Sequence, residues 1–418
     1  MDGGDIVNRG RIRGRVPARQ FLRGFLRLLI LLVMSSPVVG LQACATGPSG
    51  VLRPTIAAPP ADARPVSLLV FSTRAPSEEP GVVYTGERGH ELTSVIVDVT
   101  LPPNHEPGVV EWPRHAQADP AREFATRSVS MADEGAGAAW FRAQETKGHV
   151  LVFVHGFNAP FDRAAYSLAQ LTVDSGIQAA PILFTWPSRG QVWAYAYDRE
   201  SASYSRDALE SVLRQFVQNP DVTEITLLAH SMGSWIAVEA LRQYAIREGR
   251  LPAKIQEVIL AAPDLDMDVF GQQFLALGDE PPHFTFLVSK DDRALRLSRL
   301  LAGGVQRIGA VDPSAPAIRE MLEHQSGITI INLAHVRGRD RLNHSVFAES
   351  PQVVRLLGGS LASRQNLYGA VQLPFGALIL DLAESVTSTL MTERPADHPR
   401  QTGGQTSPPS PSADPALP

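Results

Sequence analysis

Residues 226–233 read Thr226-Leu227-Leu228-Ala229-His230-Ser231-Met232-Gly233, and a helical pattern begins near Ser234. The apolar start of this stretch indicates a buried strand that leads directly into a turn and a helix. Small residues stand two positions before and two positions after Ser231, so that strand and helix can approach each other closely. The turn is expected to lift the Ser231 hydroxyl above the sheet, where the helix N-terminus favours a developing negative charge. Ser231 is therefore a candidate nucleophile, and the alternative is a serine that only caps the helix.

Short apolar runs alternate with helical patterns on both sides of this stretch. Helical spacing is clear for Leu209, Leu213 and Phe216. The runs predicted as strands are Ser67–Ser72, Ser94–Leu101, Val150–Val154, Ile182–Thr185, Glu224–Ala229, Glu257–Ala261, Phe284–Val288 and Ile328–Asn332. This alternation predicts one α/β domain over residues 65–392, with a mostly parallel sheet of about eight strands and helices on both faces. Residues 102–148 have weak signals and are expected to form a long surface excursion.

The first 43 residues have the composition of a secretory signal. Seven arginines between Arg9 and Arg27 precede an apolar run from Leu28 to Val33, and small residues follow. The order basic, apolar, small is typical of a signal peptide. The apolar run is shorter than the roughly 20 residues that a transmembrane helix needs.

The single cysteine of the chain stands at the end of this segment. Leu41-Gln42-Ala43-Cys44 resembles the bacterial lipobox, which implies a signal peptide of the lipoprotein type over residues 1–43 and a lipidated Cys44. Ala45 in the next position implies sorting to the outer membrane, facing the periplasm, so the expected location is the cell envelope. An uncleaved signal anchor and an ordinary signal peptide remain alternatives. One cysteine also excludes an internal disulfide and a multi-thiolate metal site.

The segments that flank the domain are poor in structure signals. Residues 44–64 are rich in Pro, Ala and Gly and are expected to form a flexible tether, and residues 393–418 are expected to form a disordered Pro-rich tail. The formal net charge is −5, and residues 28–418 carry 31 basic against 41 acidic side chains. A body this acidic is a poor candidate for binding nucleic acid.

A second glycine-containing loop follows another predicted strand. Val152–Val154 leads into His155-Gly156-Phe157-Asn158. In folds with a turn of the Ser231 type, one oxyanion donor follows the nucleophile and the other lies on the loop after this strand. The backbone N–H groups of Phe157 and Met232 are therefore the predicted donors. His155 is expected to fix the loop by hydrogen bonds rather than to transfer protons.

The acid of a Ser-acid-His order is expected between the nucleophile and the last strand. Asp291 and Asp292 follow the strand Phe284–Val288. Asp292 is preferred because a helical pattern resumes directly behind it, but Asp291 remains open. A rival cluster after the preceding strand consists of Asp264, Asp266 and Asp268, for which turn and helix-cap chemistry is the alternative explanation.

Two histidines near the last predicted strand are candidates for the general base. His335 follows Ile328–Asn332 directly, whereas His344 lies beyond a charged loop that allows it to reach over the turn at Ser231. His344 is therefore the predicted base. His230 is expected to point away from Ser231 and to be structural.

Several motifs together resemble a family of bacterial α/β hydrolases that are described only as esterase/lipase-superfamily enzymes with a domain of unknown function. The motifs are Tyr84-Thr85-Gly86-Glu87-Arg88-Gly89, Phe153-Val154-His155-Gly156-Phe157-Asn158, Phe184-Thr185-Trp186-Pro187-Ser188, Tyr197-Asp198-Arg199-Glu200-Ser201, Ala229-His230-Ser231-Met232-Gly233, Ala261-Ala262-Pro263-Asp264 and Asp292-Arg293-Ala294-Leu295. The resemblance covers roughly residues 66–360. It implies the α/β-hydrolase fold, puts Ser231, Asp292 and His344 on the triad positions, and implies no particular substrate.

The predicted chemistry is acyl transfer to water by a serine hydrolase, most simply a carboxylesterase. This reaction requires no metal and no organic cofactor. The expected partners are a small-molecule or lipid ester and, through a lipidated N-terminus, a membrane; no nucleic acid is expected, and the oligomeric state is open. The alternatives are hydrolysis of an amide or thioester, or a non-catalytic envelope lipoprotein that uses the same fold as a scaffold or binding module.

Overall fold

The structure, a computed structural model, describes residues 48–316, 318, 327–362 and 378–381. The predicted signal peptide over 1–43, Cys44 and the predicted tail over 393–418 lie outside these residues. The strands are β1 (Arg64–Pro76), β2 (Tyr84–Leu101), β3 (Ala125–Met131), β4 (His149–Val154), β5 (Ala180–Thr185), β6 (Glu224–His230), β7 (Ile255–Ala261), β8 (His283–Val288), β9 (Ile328–Asn332) and β10 (Leu378–Asp381). The helices are α1 (Glu134–Arg142), α2 (Phe161–Ser175), α3 (Tyr195–Gln218), α4 (Met232–Glu248), α5 (Met267–Leu275), α6 (Arg293–Leu301), α7 (Val346–Glu349) and α8 (Pro351–Ala362).

The strands form one sheet in the order β10-β9-β8-β7-β6-β4-β5-β1-β2-β3. In this order, every pair of neighbouring strands from β10 through to β1 is parallel, whereas β2 is antiparallel to both β1 and β3. The predicted mostly parallel sheet is thus confirmed. Because β4 lies between β5 and β6, the winding reverses at β4, and the loops after β4 and β6 leave a crevice at the carboxyl edge of the sheet.

Helices cover both faces of the sheet, as the apolar strands predict. In β4, Val150 and Val152 belong to the core beneath α3, α4 and α5, whereas Leu151 and Phe153 belong to the core beneath α2 and α8. Successive side chains of a strand point to opposite faces, so a strand that is buried on both sides must be apolar throughout.

All eight predicted strands are present, and the structure adds two at the edges of the sheet. β3 and α1 lie within residues 102–148, where the sequence predicts only a surface excursion. β3 reads Ala-Thr-Arg-Ser-Val-Ser-Met and pairs only with β2, so one neighbour satisfies it without a two-sided apolar run. β10 is four residues long and pairs with β9 at the opposite edge.

Residues 48–63 pack on the domain, although the sequence assigns them to the flexible tether. Val51 and Leu52 are fully buried. The Tyr166 hydroxyl donates to the Val51 carbonyl at 3.1 Å, and the backbone N–H of Thr55 donates to the carbonyl of Thr126 at 2.9 Å. Within the described residues, part of the tether predicted over 44–64 is therefore attached to the domain, at α2 through Val51 and at β3 through Thr55. Two apolar side chains anchor a segment whose Pro and Gly content indicates a linker.

Among the helices of the described residues, none is long and apolar enough to cross a membrane.

Candidate active site

Ser231 lies in a sharp turn between β6 and α4. Its backbone has φ 53° and ψ −122°, a conformation that side-chain-bearing residues rarely adopt and that persists only when the surroundings enforce it. Two glycines allow the turn. A Cβ on Gly233 would lie 2.3 Å from the carbonyl oxygen of His155, and a Cβ on Gly156 would lie 2.9 Å from the Cβ of Ser231. The predicted strand, turn and helix around Ser231 are therefore present, and the backbone approaches most closely at Gly156 and Gly233.

The two predicted oxyanion donors lie on either side of this close approach. Met232 is the first residue of α4, so its N–H has no carbonyl one turn earlier in the helix. Phe157 belongs to the loop after β4, and its ring contacts that of Tyr195 with 5.3 Å between centroids. Within the described residues, neither N–H has a hydrogen-bond acceptor. Both are therefore available to an oxygen atom that would sit above Ser231.

Asp292 and His344 are in direct contact. The Nδ1 of His344 donates to Oδ2 of Asp292 at 2.6 Å, and the other carboxylate oxygen accepts the backbone N–H of Leu295 at 2.9 Å. Asp292 is 1% exposed and is the N-cap of α6. The carboxylate is thus held by a helix on one side and holds the imidazole on the other, which leaves Nε2 of His344 unprotonated when the ring is neutral.

Three carboxylates act on the protonation of His344. Burial lowers its pKa, but the hydrogen bond and charge of Asp292 raise it, and the charges of Asp264 and Asp340 raise it further, so that the pKa lies above the ordinary histidine value. Because a general base works best with a pKa near the ambient pH, a histidine in this environment suits proton transfer near neutrality.

The loop that carries His344 is held by the carboxylates of Asp340 and Glu349. Asp340 accepts the backbone N–H of His344 at 2.9 Å and that of Ser345 at 3.3 Å. Glu349 accepts the backbone N–H of Arg339 at 2.6 Å and that of Asp340 at 2.8 Å. These bonds fix the backbone on both sides of the histidine, so the position of the imidazole does not depend on its own side chain alone.

His230 contacts the same loop. Its Nε2 donates to the carbonyl oxygen of His344 at 3.3 Å, and its ring centroid lies 4.7 Å from that of His344 and 4.7 Å from that of Phe347. Burial, with the charge of His344, lowers the pKa of His230 well below its ordinary value, so it is neutral. His230 is structural, as predicted, and its contacts bring the His344 loop against the residue that precedes Ser231.

The competing candidates lie elsewhere or are occupied. Asp291 is half-buried and, within the described residues, forms no hydrogen bond or ion pair with His344, whereas His335 is exposed, with a backbone φ of 76°. Asp264 accepts from the Tyr195 hydroxyl at 3.1 Å and lies 3.1 Å from Nε of the buried Arg307. Asp266 caps α5 by accepting two backbone N–H groups, as the cap interpretation of the acidic cluster predicts.

A buried arginine supports the loop after β4. Arg74 of β1 is 1% exposed, and its Nη2 donates to the Ala159 carbonyl at 2.6 Å and to Nε2 of His155 at 3.1 Å. Its Nε donates to Thr185 at 2.7 Å. Burial lowers its pKa to about 9, so Arg74 remains charged at neutral pH. It ties the end of this loop to β5 without a paired carboxylate.

His155 has one defined tautomer. Its Nδ1 donates to the carbonyl of Gly156 at 2.9 Å, while Nε2 accepts from Arg74 and from the backbone N–H of Trp186 at 3.2 Å. Burial and the charge of Arg74 lower the pKa of His155 well below its ordinary value. A neutral ring with both nitrogens occupied fixes the loop and cannot take up a proton, as predicted.

Asp198 completes the support of this loop. It is fully buried and accepts from the Ser188 hydroxyl at 2.6 Å and from the backbone N–H of Asn158 at 3.4 Å. The Ser188 hydroxyl in turn accepts the backbone N–H of Ala159 at 3.1 Å. Asp198 belongs to the motif Tyr197-Asp198-Arg199-Glu200-Ser201 that carries the family resemblance, but its role in this loop was not predicted. Arg74 was missed, and its only local signal is a charged residue at the end of an apolar strand.

The site thus brings together Asp292 with His344, and the loop of Phe157 with the turn of Ser231. Within the described residues, no hydrogen bond joins the Ser231 hydroxyl to the His344 ring, and such bonds often tighten only when substrate binds. No group of three His, Cys, Asp or Glu side chains among these residues is placed to hold a metal ion. The geometry offers a hydroxyl, a carboxylate-held imidazole and two free N–H donors.

Comparisons with known proteins place this site in a family. The family model described as alpha/beta hydrolase of unknown function (DUF900) matches residues 133–360. An uncharacterized protein from Nostoc sp. (strain PCC 7120) is 27% identical over 145 residues, which is 28% of this chain and 37% of that protein. The match therefore spans well under half of that relative.

Two solved structures illustrate the structural similarity. An esterase from Pyrobaculum calidifontis aligns with a TM-score of 0.29 and 10% identity, over 84% of this chain and 95% of that chain. A protein of unknown function from Agrobacterium tumefaciens aligns with a TM-score of 0.33 and 17% identity, over 55% of this chain and 91% of that chain.

Proposed function

The chain belongs to the alpha/beta hydrolases of unknown function (DUF900), and from this membership we propose that it is a serine hydrolase of the carboxylesterase type. Ser231 is the nucleophile, His344 the general base and Asp292 the acid that orients the base. The backbone N–H groups of Phe157 and Met232 form the oxyanion hole. The substrate is a small-molecule or lipid ester.

The contact between His344 and Asp292 is the observation that carries this proposal. A hydrogen bond of 2.6 Å from Nδ1 to a carboxylate that is 1% exposed leaves Nε2 as the proton acceptor. The raised pKa of His344 agrees with a role that requires an imidazolium intermediate. Capping of α6 uses only Oδ1 of Asp292, whereas Oδ2 accepts from the imidazole of His344, so the contact with His344 is additional to the structural role of this carboxylate.

In the first half of the reaction, Nε2 of His344 takes the proton of the Ser231 hydroxyl as the oxygen attacks the ester carbonyl. The carbonyl oxygen becomes an oxyanion, which the N–H groups of Phe157 and Met232 stabilise. The carbon–oxygen bond to the alcohol then breaks, and His344 gives its proton to the departing alkoxide. The products are an acylated Ser231 and a free alcohol.

In the second half, water replaces the alcohol. Nε2 of His344 takes a proton from the water as its oxygen attacks the acyl carbon, and the same two N–H groups stabilise the second oxyanion. The bond to Ser231 breaks, His344 returns the proton to the serine oxygen, and the carboxylic acid leaves. Asp292 remains ionised and stabilises the imidazolium in both halves.

Covalent labelling tests the nucleophile. We expect a fluorophosphonate probe to label the wild-type chain and Ser234→Ala, but not Ser231→Ala. Ser234 is a matched control because it is three residues away, fully buried, and donates only to the Ala229 carbonyl. Failure of the folded wild-type chain to label would contradict the hydrolase proposal and favour a non-catalytic role for the same fold.

A substrate panel tests the acyl group. We expect p-nitrophenyl esters to be cleaved faster than peptide or thioester substrates of matched acyl chain, and the reaction with esters to be lost in Ser231→Ala. Faster cleavage of amides or thioesters would keep Ser231 as the nucleophile but would overturn the carboxylesterase assignment.

The N-terminal sequence is the basis for proposing a location in the cell envelope. The lipobox-like Leu41-Gln42-Ala43-Cys44 supports cleavage after Ala43 and lipidation of Cys44, which would hold the domain at the outer membrane facing the periplasm. We expect labelled palmitate to be incorporated into the wild-type protein but not into the Cys44→Ser variant. Incorporation that survives this substitution would contradict the proposal.

A further inference from the structure

The outer surface of α6 carries leucines that point away from the core. α6 buries Leu295 and Ser298 against the domain, whereas Leu297, Leu300 and Leu301 have exposed fractions of 49%, 74% and 61%. With about 100° between successive residues, the three exposed leucines occupy one sector of the helix, away from the buried pair. They form an apolar stripe that the described part of the chain leaves uncovered.

Three arginines border this stripe. Arg293, Arg296 and Arg299 are all exposed. Their side chains donate only to main-chain carbonyl groups, namely those of Asp291, Asp292, Gly304 and Arg341. Within the described residues, none of the three lies within ion-pair distance of a carboxylate. Among these residues, the guanidinium groups of α6 are therefore not paired with a carboxylate.

Neighbouring segments extend the surface. The carbonyl of Leu342, a residue that is 49% exposed, accepts the backbone N–H of Arg293 at 2.9 Å. Val305, which is 40% exposed, directly follows Gly304, whose carbonyl accepts from Arg299. The surface formed by α6 together with Val305, Arg341 and Leu342 is termed the α6 face.

The charge of the α6 face is opposite to that of the whole chain. The chain has a formal net charge of −5, whereas the α6 face contains four arginines and no carboxylate. Leucines between arginines are typical of helices that lie on anionic membranes, since the apolar chains enter the acyl boundary while the guanidinium groups stay with the phosphates.

We propose that the α6 face docks on an anionic lipid bilayer. A bilayer accepts the apolar stripe and the arginines at once, whereas a nucleic acid would leave three leucines against phosphates. A protein partner would need an apolar groove with an acidic rim, and the experiment below separates that case from a bilayer.

Docking at this face would bring lipid against the segments that carry Asp292 and His344. α6 begins directly after Asp292, and Leu342 lies two residues before His344. The supply of lipid esters from that surface rests on the proposed function, whereas docking itself does not involve Ser231. The two proposals can therefore fail independently.

A single fluorescent label tests the docking. Cys44→Ser removes the only cysteine of the chain, so that Leu300→Cys in that background carries one environment-sensitive nitrobenzoxadiazole group. Ile246→Cys is the matched control, because this residue is 59% exposed and lies about 21 Å along α4 from the Ser231 end of that helix. The vesicles contain equimolar phosphatidylcholine and phosphatidylglycerol, with pure phosphatidylcholine as the comparison.

We expect a several-fold rise and a blue shift of emission at position 300 with the anionic vesicles, a weaker response as salt increases, and little response at position 246. Replacing Leu297 and Leu301 by Ser in the labelled chain should reduce the rise while circular dichroism stays unchanged. No response at position 300, or equal responses at both positions, would overturn the proposal. A response at position 300 without vesicles that grows with protein concentration would also overturn it and would indicate a second copy as the partner.

Discussion

His344 and Asp292 are joined by a hydrogen bond of 2.6 Å although 52 residues separate them in the sequence. The other oxygen of Asp292 accepts the backbone N–H of Leu295 at 2.9 Å and so begins α6. The orientation of the carboxylate is therefore fixed by a helix before it meets the imidazole. Because this fixed carboxylate orients the imidazole of His344 in advance, the pair needs little reorganisation when the reaction begins.

Asp292→Asn separates the two tasks of this residue. Asparagine caps helices as well as aspartate does, so the fold should persist, but its amide can no longer stabilise the imidazolium or select the tautomer. We expect kcat for an ester to fall by about four orders of magnitude. Asp291→Asn is the adjacent control, and kinetics with a soluble p-nitrophenyl ester should find it near wild type. Equal losses in both variants would contradict the assignment of the acid.

The rate should depend on pH through His344. The histidine must be neutral to accept a proton, and its pKa is raised above 6.5 by Asp292, Asp264 and Asp340 against the lowering effect of burial. We therefore expect kcat/KM to rise with pH and to level off only above an apparent pKa higher than 6.5. Asp340→Asn removes one negative charge and should shift this apparent pKa downward. The exposed Asp62→Asn should leave the profile unchanged, and a profile that Asp340→Asn also leaves unchanged would contradict the electrostatic explanation.

Local patterns in the sequence predict those parts of the structure that local physics determines. Val150–Val154 is apolar throughout because the strand is buried on both faces, and Asp292 could be chosen over Asp291 because a helix start behind it needs a cap. The position of Ser231 follows from the small residues around the turn. In each case, the local structure requires a particular residue type, and the adjacent residues in the sequence indicate which local structure forms.

Residues whose purpose lies in distant contacts could not be predicted in this way. Arg74 has no local pattern, because its partners lie after β4, on β5 and at the start of β2. Val51 and Leu52 stand among turn-forming residues, and only the core beside α2 explains their burial. The edge strand β3 has too little apolar content to predict, since a single neighbour stabilises it.

The close approach at Gly233 predicts a large cost for a single methyl group. Its Cβ would lie 2.3 Å from the carbonyl oxygen of His155, a main-chain atom that cannot rotate away. We expect Gly233→Ala to lower the free energy of unfolding by about 3 kcal/mol, because backbone must shift on both sides. Urea denaturation would measure this change.

Gly271 provides the matched control for that substitution. It lies within α5, and a Cβ there would meet nothing within 4 Å. Gly271→Ala should raise the free energy of unfolding by about 0.5–1 kcal/mol through helix propensity. The prediction fails if the two alanine variants change stability in the same direction.

His105 should make stability depend on pH on the alkaline side. Its two ring nitrogens donate to Glu111 at 2.7 Å and to Asp174 at 2.8 Å, and despite the lowering effect of burial these carboxylates raise its pKa from 6.5 to about 9. A pKa that is raised in the folded state contributes stability that is complete below about 6.5 and is lost as pH rises through about 9. The contribution is at most about 3 kcal/mol.

His105→Gln should remove this dependence. Its free energy of unfolding should lie below that of the wild type at about pH 6 and approach it at about pH 9.5, as measured by chemical denaturation. His115→Gln, at an exposed position in the same excursion, should follow the wild-type curve. Curves for the wild type and His105→Gln that run parallel over this range would show that His105 is not charged between the two carboxylates.

Arg74 should act on the rate without contacting the substrate. Its guanidinium holds the Ala159 carbonyl and His155 at once, and these residues bracket the N–H of Phe157. We expect Arg74→Met to lower kcat by about 100-fold with little change in KM, because a displaced donor weakens binding of the oxyanion and not of the ester. Arg74→Lys should not rescue the rate, since an ammonium group cannot reach both acceptors.

The exposed Arg88 is the control for this substitution, because its guanidinium lies 4.9 Å from the ring centroid of Tyr197 and takes no part in the loop. Arg88→Met should retain kcat, and thermal melting should establish that the Arg74 variants are folded at the assay temperature. A rise in KM at unchanged kcat would mean that Arg74 supports ground-state binding instead. That outcome would contradict the prediction that the buried Arg74 positions the oxyanion loop after β4.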